Sequence, residues 1–282
     1  MSARLLDGRA LAAELRDDLR QRVDRLASGA GGAPRLAILG DGASEAASLY
    51  AASLDRAASR VGIPTELRLG GDEPIEEAIE RHNADPTVAG IVIAQPFANP
   101  AAGRRLVEHV DPAKDVDGAT PTNAGWLARG EPAFVPATAL AVIALLEAYE
   151  VPIAGRRTVI VGRSAVVGRP VASLLLARDA TVVICHRATR DLARETRQAE
   201  LLVVAAGVPR LIGADVVSPA ATVVDCGINA VDGGIVGDVD TAAVAAVVEA
   251  ISPVPGGVGP VTPMMVLRQT VEAAERASRS SA

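Results

Sequence analysis

Short apolar runs alternate with segments of helical periodicity along most of this chain, and this alternation constrains its fold more than any other feature. Helical stripes occur, for example, at residues 44–61 and 170–178. Strands that alternate with helices predict an α/β fold, in which helices cover a mainly parallel sheet. The predicted strands, each bounded by turn residues, lie at residues 35–39, 65–69, 88–93, 158–161, 181–185, 201–205 and 222–225.

A stretch rich in proline and glycine at residues 111–136 interrupts this alternation. A strong helical segment at 138–149 follows it and leads into a second series of strands. The chain has 282 residues, enough for two domains of ordinary size. We therefore expect an N-terminal α/β domain and a second, Rossmann-like domain, with a boundary near residue 140.

Composition excludes several classes of function. A net charge of −6, a pI near 5.2 and only 2% aromatic residues predict no nucleic-acid interface. The two cysteines, Cys185 and Cys226, lack the spacing of metal ligands, so we expect buried thiols in strands and no metal. No apolar run reaches the about 20 residues that span a bilayer, and the first residues form an amphipathic pattern. We expect a cytoplasmic protein without membrane contact.

The predicted strand, loop and helix at residues 158–178 carry the first chemical signal. Gly162 and Gly168 lie in the loop just before a helix N-terminus, where free N–H groups favour a phosphate. The spacing is not G-x-G-x-x-G, so a turn that needs two glycines for packing is the alternative. The next strand ends in His186 and Arg187 without a carboxylate. Arg187 and Arg163 would suit a 2′-phosphate and favour NADP over NAD, although two solvated surface arginines remain possible.

Two further loops have unusual composition. The KDVDG run at residues 114–118 carries two carboxylates, which suit a polar ring edge, a cation or the cap of a turn. The run PVPGGVGPVT at 253–262 fixes an irregular backbone, as a ligand-binding loop requires, and a structural linker is the alternative. A helix is predicted from about Pro263.

Together these segments resemble the methylenetetrahydrofolate dehydrogenase/cyclohydrolase family over almost the whole chain. Members oxidise 5,10-methylenetetrahydrofolate to the methenyl form with NAD(P), and many then hydrolyse it to 10-formyltetrahydrofolate. The matching motifs are, in chain order, LDG at 6–8, SLY at 48–50, GIV at 90–92, KDVDG at 114–118, NAG at 123–125, the glycine loop at 162–170, DCGIN at 225–229, VGDV at 236–239 and PVPGGVGP at 253–260.

The resemblance implies a two-domain architecture and a set of site residues. Residues 1–140 and 263–282 would form the folate-binding catalytic domain, closed by the returning C-terminal helix, and residues 141–262 the NAD(P)-binding domain. A homodimer with a tetrahydrofolate derivative as substrate is implied as well. Tyr50 and Asp117 would be catalytic. The substrate would be bound by Tyr50, Gln95, Asp117, Pro255, Gly256 and Gly257, and the cofactor, NADP or else NAD, by Gly162, Arg163, Ser164, Val167, Gly168, His186, Arg187, Gly207 and Ile228.

The sequence departs from the family pattern where the hydrolysis step is carried out. The family lysine lies four residues after the tyrosine, where this chain has Leu54, and Ala94 stands at the position of the family glutamine. Arg56 falls on a different helix face, and Gln95 on a strand would point the other way. The only lysine, Lys114, belongs to another motif. We therefore expect a dehydrogenase with its cyclohydrolase activity lost or weak.

Three alternatives remain at this point. Gln95, Arg56 or a water network could rescue hydrolysis and leave the enzyme bifunctional. A folate-binding pseudoenzyme could keep the fold without turnover. A dehydrogenase could also have drifted to a related pterin adduct, because Leu54 and Ala94 make the pocket more apolar.

Overall fold

The computed structural model describes residues 3–29 and 32–280, which group by contact into two compact units. The three-stranded unit comprises Ala13–Ala137 and Pro263–Ala282. The six-stranded unit comprises Met1–Ala12 and Thr138–Thr262. The segment before Ala13, which the sequence assigned to the first domain, therefore groups with the six-stranded unit.

The helices and strands alternate along the chain as the apolar pattern indicates. The first half contains β1 (Arg4–Leu5), α1 (Gly8–Ala27), β2 (Arg35–Gly40), α2 (Glu45–Val61), β3 (Thr65–Leu69), α3 (Ile75–Ala84), β4 (Val88–Ile93), α4 (Pro100–Glu108), α5 (Pro121–Ala128) and α6 (Ala137–Ala148). The second half contains β5 (Arg157–Val161), α7 (Gly168–Leu176), β6 (Thr181–Cys185), α8 (Leu192–Arg197), β7 (Leu201–Val204), β8 (Thr222–Asp225), β9 (Asn229–Val231), β10 (Gly234–Val236), α9 (Thr241–Ala245), β11 (Ala250–Ile251) and α10 (Val258–Ser280).

The three-stranded unit is built on a parallel sheet of order β3-β2-β4. The sequence of helix α2 defines both of its ends. The Ser44 side chain accepts the Ala47 N–H at 3.3 Å at the start, and Gly62 ends the helix with φ +81°. Its buried positions recur at intervals of three and four residues and form one stripe. They are Ala47, Ala51, Leu54, Ala58 and Val61.

The six-stranded unit holds a parallel sheet of order β1-β11-β8-β7-β5-β6. Strands β7 and β8 are buried along their whole length, as continuous apolar runs in a parallel sheet should be. The short β1 pairs with β11, which explains why the first residues group with this unit. The two sheets confirm the predicted α/β fold with a Rossmann-like second unit.

The structure corrects three local expectations. Helix α10 begins at Val258, ahead of the predicted Pro263, because a proline in the first turns interrupts few helical hydrogen bonds. The proline-rich stretch contains α5, which has the start signal of Thr120 as N-cap with a proline after it. Cys226 lies just beyond β8 and is half-buried, whereas Cys185 is buried inside β6.

Two classes of feature are missing from the part of the chain that the structure describes. No helix there is both long and apolar enough to cross a bilayer. No group of three or more His, Cys, Asp or Glu side chains in that part is placed to hold a metal ion.

Lys114 closes the carboxyl end of α3. Its Nζ donates to the carbonyl oxygens of His82, Asn83 and Asp85 at 2.9, 2.8 and 2.7 Å. These carbonyls lie where an α-helix leaves its acceptors unused and where its dipole favours a cation. The ammonium group is thus fully engaged in the fold.

Lys114→Met should lower the free energy of unfolding by about 1–3 kcal/mol, because three partly buried carbonyls lose a charged donor. Urea unfolding followed by circular dichroism measures this change. Arg104→Met, on an exposed position of α4, is the control and should change stability by less than about 0.5 kcal/mol. Equal losses in the two variants would contradict the role of Lys114 as a cap.

Candidate functional site

The KDVDG run forms a tight loop in the three-stranded unit. Ile91 in β4 donates its N–H to the Lys114 carbonyl at 2.7 Å, which attaches the loop to the sheet. Asp115 is buried and accepts the N–H groups of Ala119 and Thr120 at 3.0 and 2.8 Å, and the Asn123 amide at 2.9 Å. Of the two carboxylates in this run, Asp115 therefore caps a turn.

Asp117 is the second carboxylate of the run. Its Oδ1 accepts the Ala137 N–H at 3.3 Å, and burial raises its pKa to about 7. Burial and the nearby Asp117 charge raise the pKa of Tyr50 well above its usual value, so the phenol keeps its proton. The two side chains together offer a donor and an acceptor to a polar ring.

Leu54 lies one helical turn after Tyr50 on α2 and is completely buried. Arg56 is exposed on another face of the same helix. The structure thus places a purely apolar side chain next to the Tyr50 position and keeps the nearby cation away from it.

The end of β4 provides the second altered position. Ala94 is buried, with its N–H bonded to the Leu39 carbonyl at 2.7 Å, whereas Gln95 is exposed. Gln95 therefore does not take over the buried position of Ala94.

The glycine loop follows β5 in the six-stranded unit. A Cβ on Gly162, where φ is +129°, would lie 2.1 Å from the Ala205 carbonyl oxygen. A Cβ on Gly168 would lie 2.2 Å from the Gly162 carbonyl oxygen. Close backbone packing therefore requires a glycine at both positions. Arg163 and Ser164 remain exposed beside the N-terminus of α7, and Val167 is its N-cap residue.

The end of β6 lies beside this loop, because Gly162 donates its N–H to the Cys185 carbonyl at 2.9 Å. The next residue, His186, accepts the Ala188 N–H on Nδ1 at 3.2 Å and bonds to Thr189 through its own N–H. These local bonds suit a strand-end residue. Arg187 is exposed at the same edge.

Two buried carboxylates organise the neighbouring loops. They lie in the DCGIN and VGDV motifs, and no role was predicted for either. Asp238 accepts the N–H groups of Ala206, Gly207 and Val208 at 2.6, 2.8 and 3.0 Å, and the Asn229 amide at 2.8 Å. Asp225 in turn accepts the N–H groups of Gly227, Asp238 and Val239. The DCGIN and VGDV motifs are therefore joined by hydrogen bonds.

This pair of carboxylates fixes the backbone at two predicted cofactor residues. Gly207 has φ +68° and is exposed, and its N–H is one of those bonded to Asp238. Ile228, between Gly227 and Asn229, is 69% exposed. Both residues therefore lie at the surface on loops whose backbone is held by the two carboxylates.

The PVPGGVGP loop is pinned to the start of the chain, within the same unit. Gly8 donates its N–H to the Gly256 carbonyl at 2.8 Å, and a Cβ on Gly8 would lie 1.7 Å from the Gly257 carbonyl oxygen. The LDG motif thus needs its glycine for this contact. Gly256 and Gly257 are buried, and Pro255 is exposed.

Comparison with known proteins identifies the family. The model described as "Tetrahydrofolate dehydrogenase/cyclohydrolase, catalytic domain" matches residues 6–117. The model of the NAD(P)-binding domain of the same family matches residues 136–278. The chain belongs to the tetrahydrofolate dehydrogenase/cyclohydrolase family.

Relatives of this family resemble the chain over its full length. Bifunctional protein FolD 1 of Frankia casuarinae is 46% identical over 276 residues, which cover 97% of this chain and 100% of the relative. The crystal structure of the bifunctional enzyme FolD from Campylobacter jejuni has a TM-score of 0.94 at 39% identity, covering 98% of this chain and 99% of its own. FolD of Trypanosoma brucei, solved with NADP cofactor and an inhibitor, has a TM-score of 0.93 at 32% identity and 99% coverage of both chains.

The chain is therefore an enzyme of folate one-carbon metabolism with an NAD(P)-binding domain of the Rossmann type. The roles of individual residues stay predictions. The structure brings Tyr50, Leu54 and Asp117 into one unit and the glycine loop, Arg187 and the Asp238 loops into the other.

Asp117→Asn should raise the melting temperature more at pH 8 than at pH 5. The folded protein holds the pKa of Asp117 at about 7, above the ordinary 3.8. The unfolded chain thus releases this proton first, and stability falls as the pH rises from about 4 to about 7. Asparagine removes this loss while its oxygen still accepts from Ala137. A change in melting temperature that is the same at both pH values, measured by calorimetry, would contradict the raised pKa.

Proposed function

We propose that this chain is an NADP-dependent methylenetetrahydrofolate dehydrogenase whose cyclohydrolase step is lost or severely reduced. The observation that carries the second half of the proposal is Leu54, which is fully buried one turn after Tyr50. A leucine has no proton to give or accept. The hydride step needs no such group at this position, whereas hydrolysis does.

The hydride step is balanced without a general base. The C–H bond of the methylene bridge breaks, its electron pair passes as hydride to the nicotinamide ring of NADP, and a nitrogen lone pair forms the C=N bond of the methenyl product. The protein has to align the two reactants rather than to move a proton. The fixed loops around Gly162 and Gly207 supply such alignment on the cofactor side.

The cofactor loop fits a dinucleotide phosphate. Glycines at 162 and 168 keep side chains out of the turn, and the positive end of the dipole of α7, which is nine residues long, lies beside them. Arg163 and Arg187 are exposed at adjoining loop and strand ends, where a 2′-phosphate would meet two guanidinium groups. These residues support NADP over NAD.

Asp117 is suited to hold the pterin ring. The N3–H and 2-amino groups of a pterin donate two parallel hydrogen bonds, which match the two oxygens of one carboxylate. Tyr50 lies near enough for the charge of Asp117 to affect its phenol. Together they would orient the folate at the pterin end.

Hydrolysis of the methenyl product requires a polarised water and proton transfers. Three polar side chains could in principle substitute for the missing lysine. Arg56 lies outside the buried face of α2 that carries Leu54, Gln95 lies outside the buried position of Ala94, and the Nζ of Lys114 is bonded to three carbonyls. Each is thus unsuited to the work of the family lysine, which supports loss of the cyclohydrolase.

A fully bifunctional dehydrogenase/cyclohydrolase is the second candidate. It is favoured by the relatives at 46% and 39% identity, which are named bifunctional. In that case a water network around Asp117 and Tyr50 would have to replace the amine.

Leu54→Lys tests the proposal by adding the missing amine. Methenyltetrahydrofolate hydrolysis should rise at least about tenfold over the unmodified protein, less than the about 100-fold that a well-placed acid–base group supplies. Absorbance of the methenyl compound measures it, and Leu54→Met is the control of similar volume without an amine. A folded Leu54→Lys protein without any gain would contradict the assignment of this position.

Arg187→Ala tests the cofactor preference. The KM for NADP should rise about tenfold, the size expected for one charge-assisted hydrogen bond, while the KM for NAD stays unchanged. Arg190→Ala, exposed three residues further on, is the control and should change neither value. Equal increases for NADP and NAD in Arg187→Ala would show that Arg187 does not contact the 2′-phosphate.

A further inference from the structure

Gln269 is a buried carboxamide with an unusually complete set of long-range partners. It lies on α10 with 3% of its surface exposed. Its Nε2 donates to the carbonyl oxygens of Val116 and Val135 at 2.7 and 2.8 Å, and its Oε1 accepts the Val135 N–H at 2.9 Å. Both donors and the acceptor of the side chain are therefore used on the backbone of two other segments.

The two segments that Gln269 joins are those that place Asp117. Val116 directly precedes Asp117 in the KDVDG loop. Val135 lies two residues before Ala137, whose N–H is bonded to the Asp117 carboxyl. Gln269 thus ties the peptide that carries Asp117 to the peptide that supplies its hydrogen bond.

The opposite flank of the loop is fixed independently. Gly118, with φ +57°, packs so closely on the second segment that a Cβ would lie 2.5 Å from the Val135 carbonyl carbon. Asn123 donates to Asp115 and accepts the Phe134 N–H at 3.1 Å. The position of Asp117 is therefore fixed from both sides of the loop. On the side nearest α10 it is fixed by the hydrogen bonds of Gln269.

We propose that Gln269 is a positioning residue for folate binding, which acts by fixing the Asp117 carboxyl through the backbone of Val116 and Val135. The proposal rests on the function proposed above, in which Asp117 holds the pterin ring. Gln269 does not touch the substrate in this account. Through Gln269, the C-terminal helix would affect the affinity of the site for folate.

The chemistry of the side chain makes this role specific. A carboxamide combines two N–H donors with an acceptor, which the two carbonyls and the N–H of the loops require. An ionised glutamate has no N–H donors. Methionine has a similar volume but offers neither the N–H donors nor the carbonyl acceptor. Asparagine is one methylene shorter and cannot span the same three atoms in place. Two parallel hydrogen bonds to a carboxylate tolerate little displacement, so loss of this tie should appear in folate affinity.

The test compares Gln269→Met with Thr270→Val. Thr270 is buried on the same helix, but its hydroxyl donates to the Val266 carbonyl of that helix at 2.9 Å. Both variants should lower the melting temperature. Only Gln269→Met should raise the KM for 5,10-methylenetetrahydrofolate, by about tenfold, since small displacements of a binding group have effects of this size. Its kcat should stay within about twofold, and the KM for NADP should not change.

Asp117→Asn and the double variant complete the experiment. If Gln269 acts through Asp117, Gln269→Met should raise the folate KM much less in the Asp117→Asn background. Should Gln269→Met fail to fold, Gln269→Asn gives the milder version, with a smaller increase in the same KM.

The outcomes separate the two proposals. If Asp117→Asn leaves the folate KM unchanged, the proposed role of Asp117 fails. If Asp117→Asn raises that KM while folded Gln269→Met and Gln269→Asn leave it within about twofold, the positioning role of Gln269 is overturned and the role of Asp117 stands. An equal rise in Gln269→Met and Thr270→Val also overturns it, because the effect is then general loosening of α10.

Discussion

Hydrogen bonds from backbone N–H groups to carboxylates hold the loops that follow the strands, and the predicted site depends on these bonds. Asp41 accepts the Ala43 and Ala98 N–H groups and so joins the loop after β2 to the segment after β4. Asp225 and Asp238 join the loops after β7 and β8 in the same way. Because each carboxylate takes several donors, these loops keep one conformation without relying on a ligand.

Asp117 differs from these structural carboxylates. Among the described residues a single backbone N–H, that of Ala137, bonds to it, and burial raises its pKa to about 7. The carboxyl thus has acceptor capacity in reserve for a ligand, while the fold bears the penalty of a buried charge at high pH. This is the usual conflict between stability and binding at a functional site.

The fold was largely predictable because its signals are local. Ser44 and Gly62 mark both ends of α2, and β3, β4, β6 and β8 lie at the residues that the apolar runs indicate. The start of α10 at Val258 was missed because Pro263 was expected to mark the beginning of the helix, whereas it lies inside the helix. The contacts of Asp238 and Gln269 were missed for another reason. The backbone N–H groups that bond to Asp238, and both residues that bond to Gln269, lie 30 or more residues away along the chain, and no local pattern predicts such contacts.

The proposed loss of the cyclohydrolase step rests on Leu54, and one assay tests it most directly. The unmodified protein is mixed with 5,10-methylenetetrahydrofolate and NADP, and NADPH and the methenyl compound are followed separately. If the cyclohydrolase step is lost, both rise together and the methenyl compound then decays only at its spontaneous rate. NADPH that rises while the methenyl compound fails to accumulate would show that hydrolysis survives without the lysine, and Leu54 would then not abolish it.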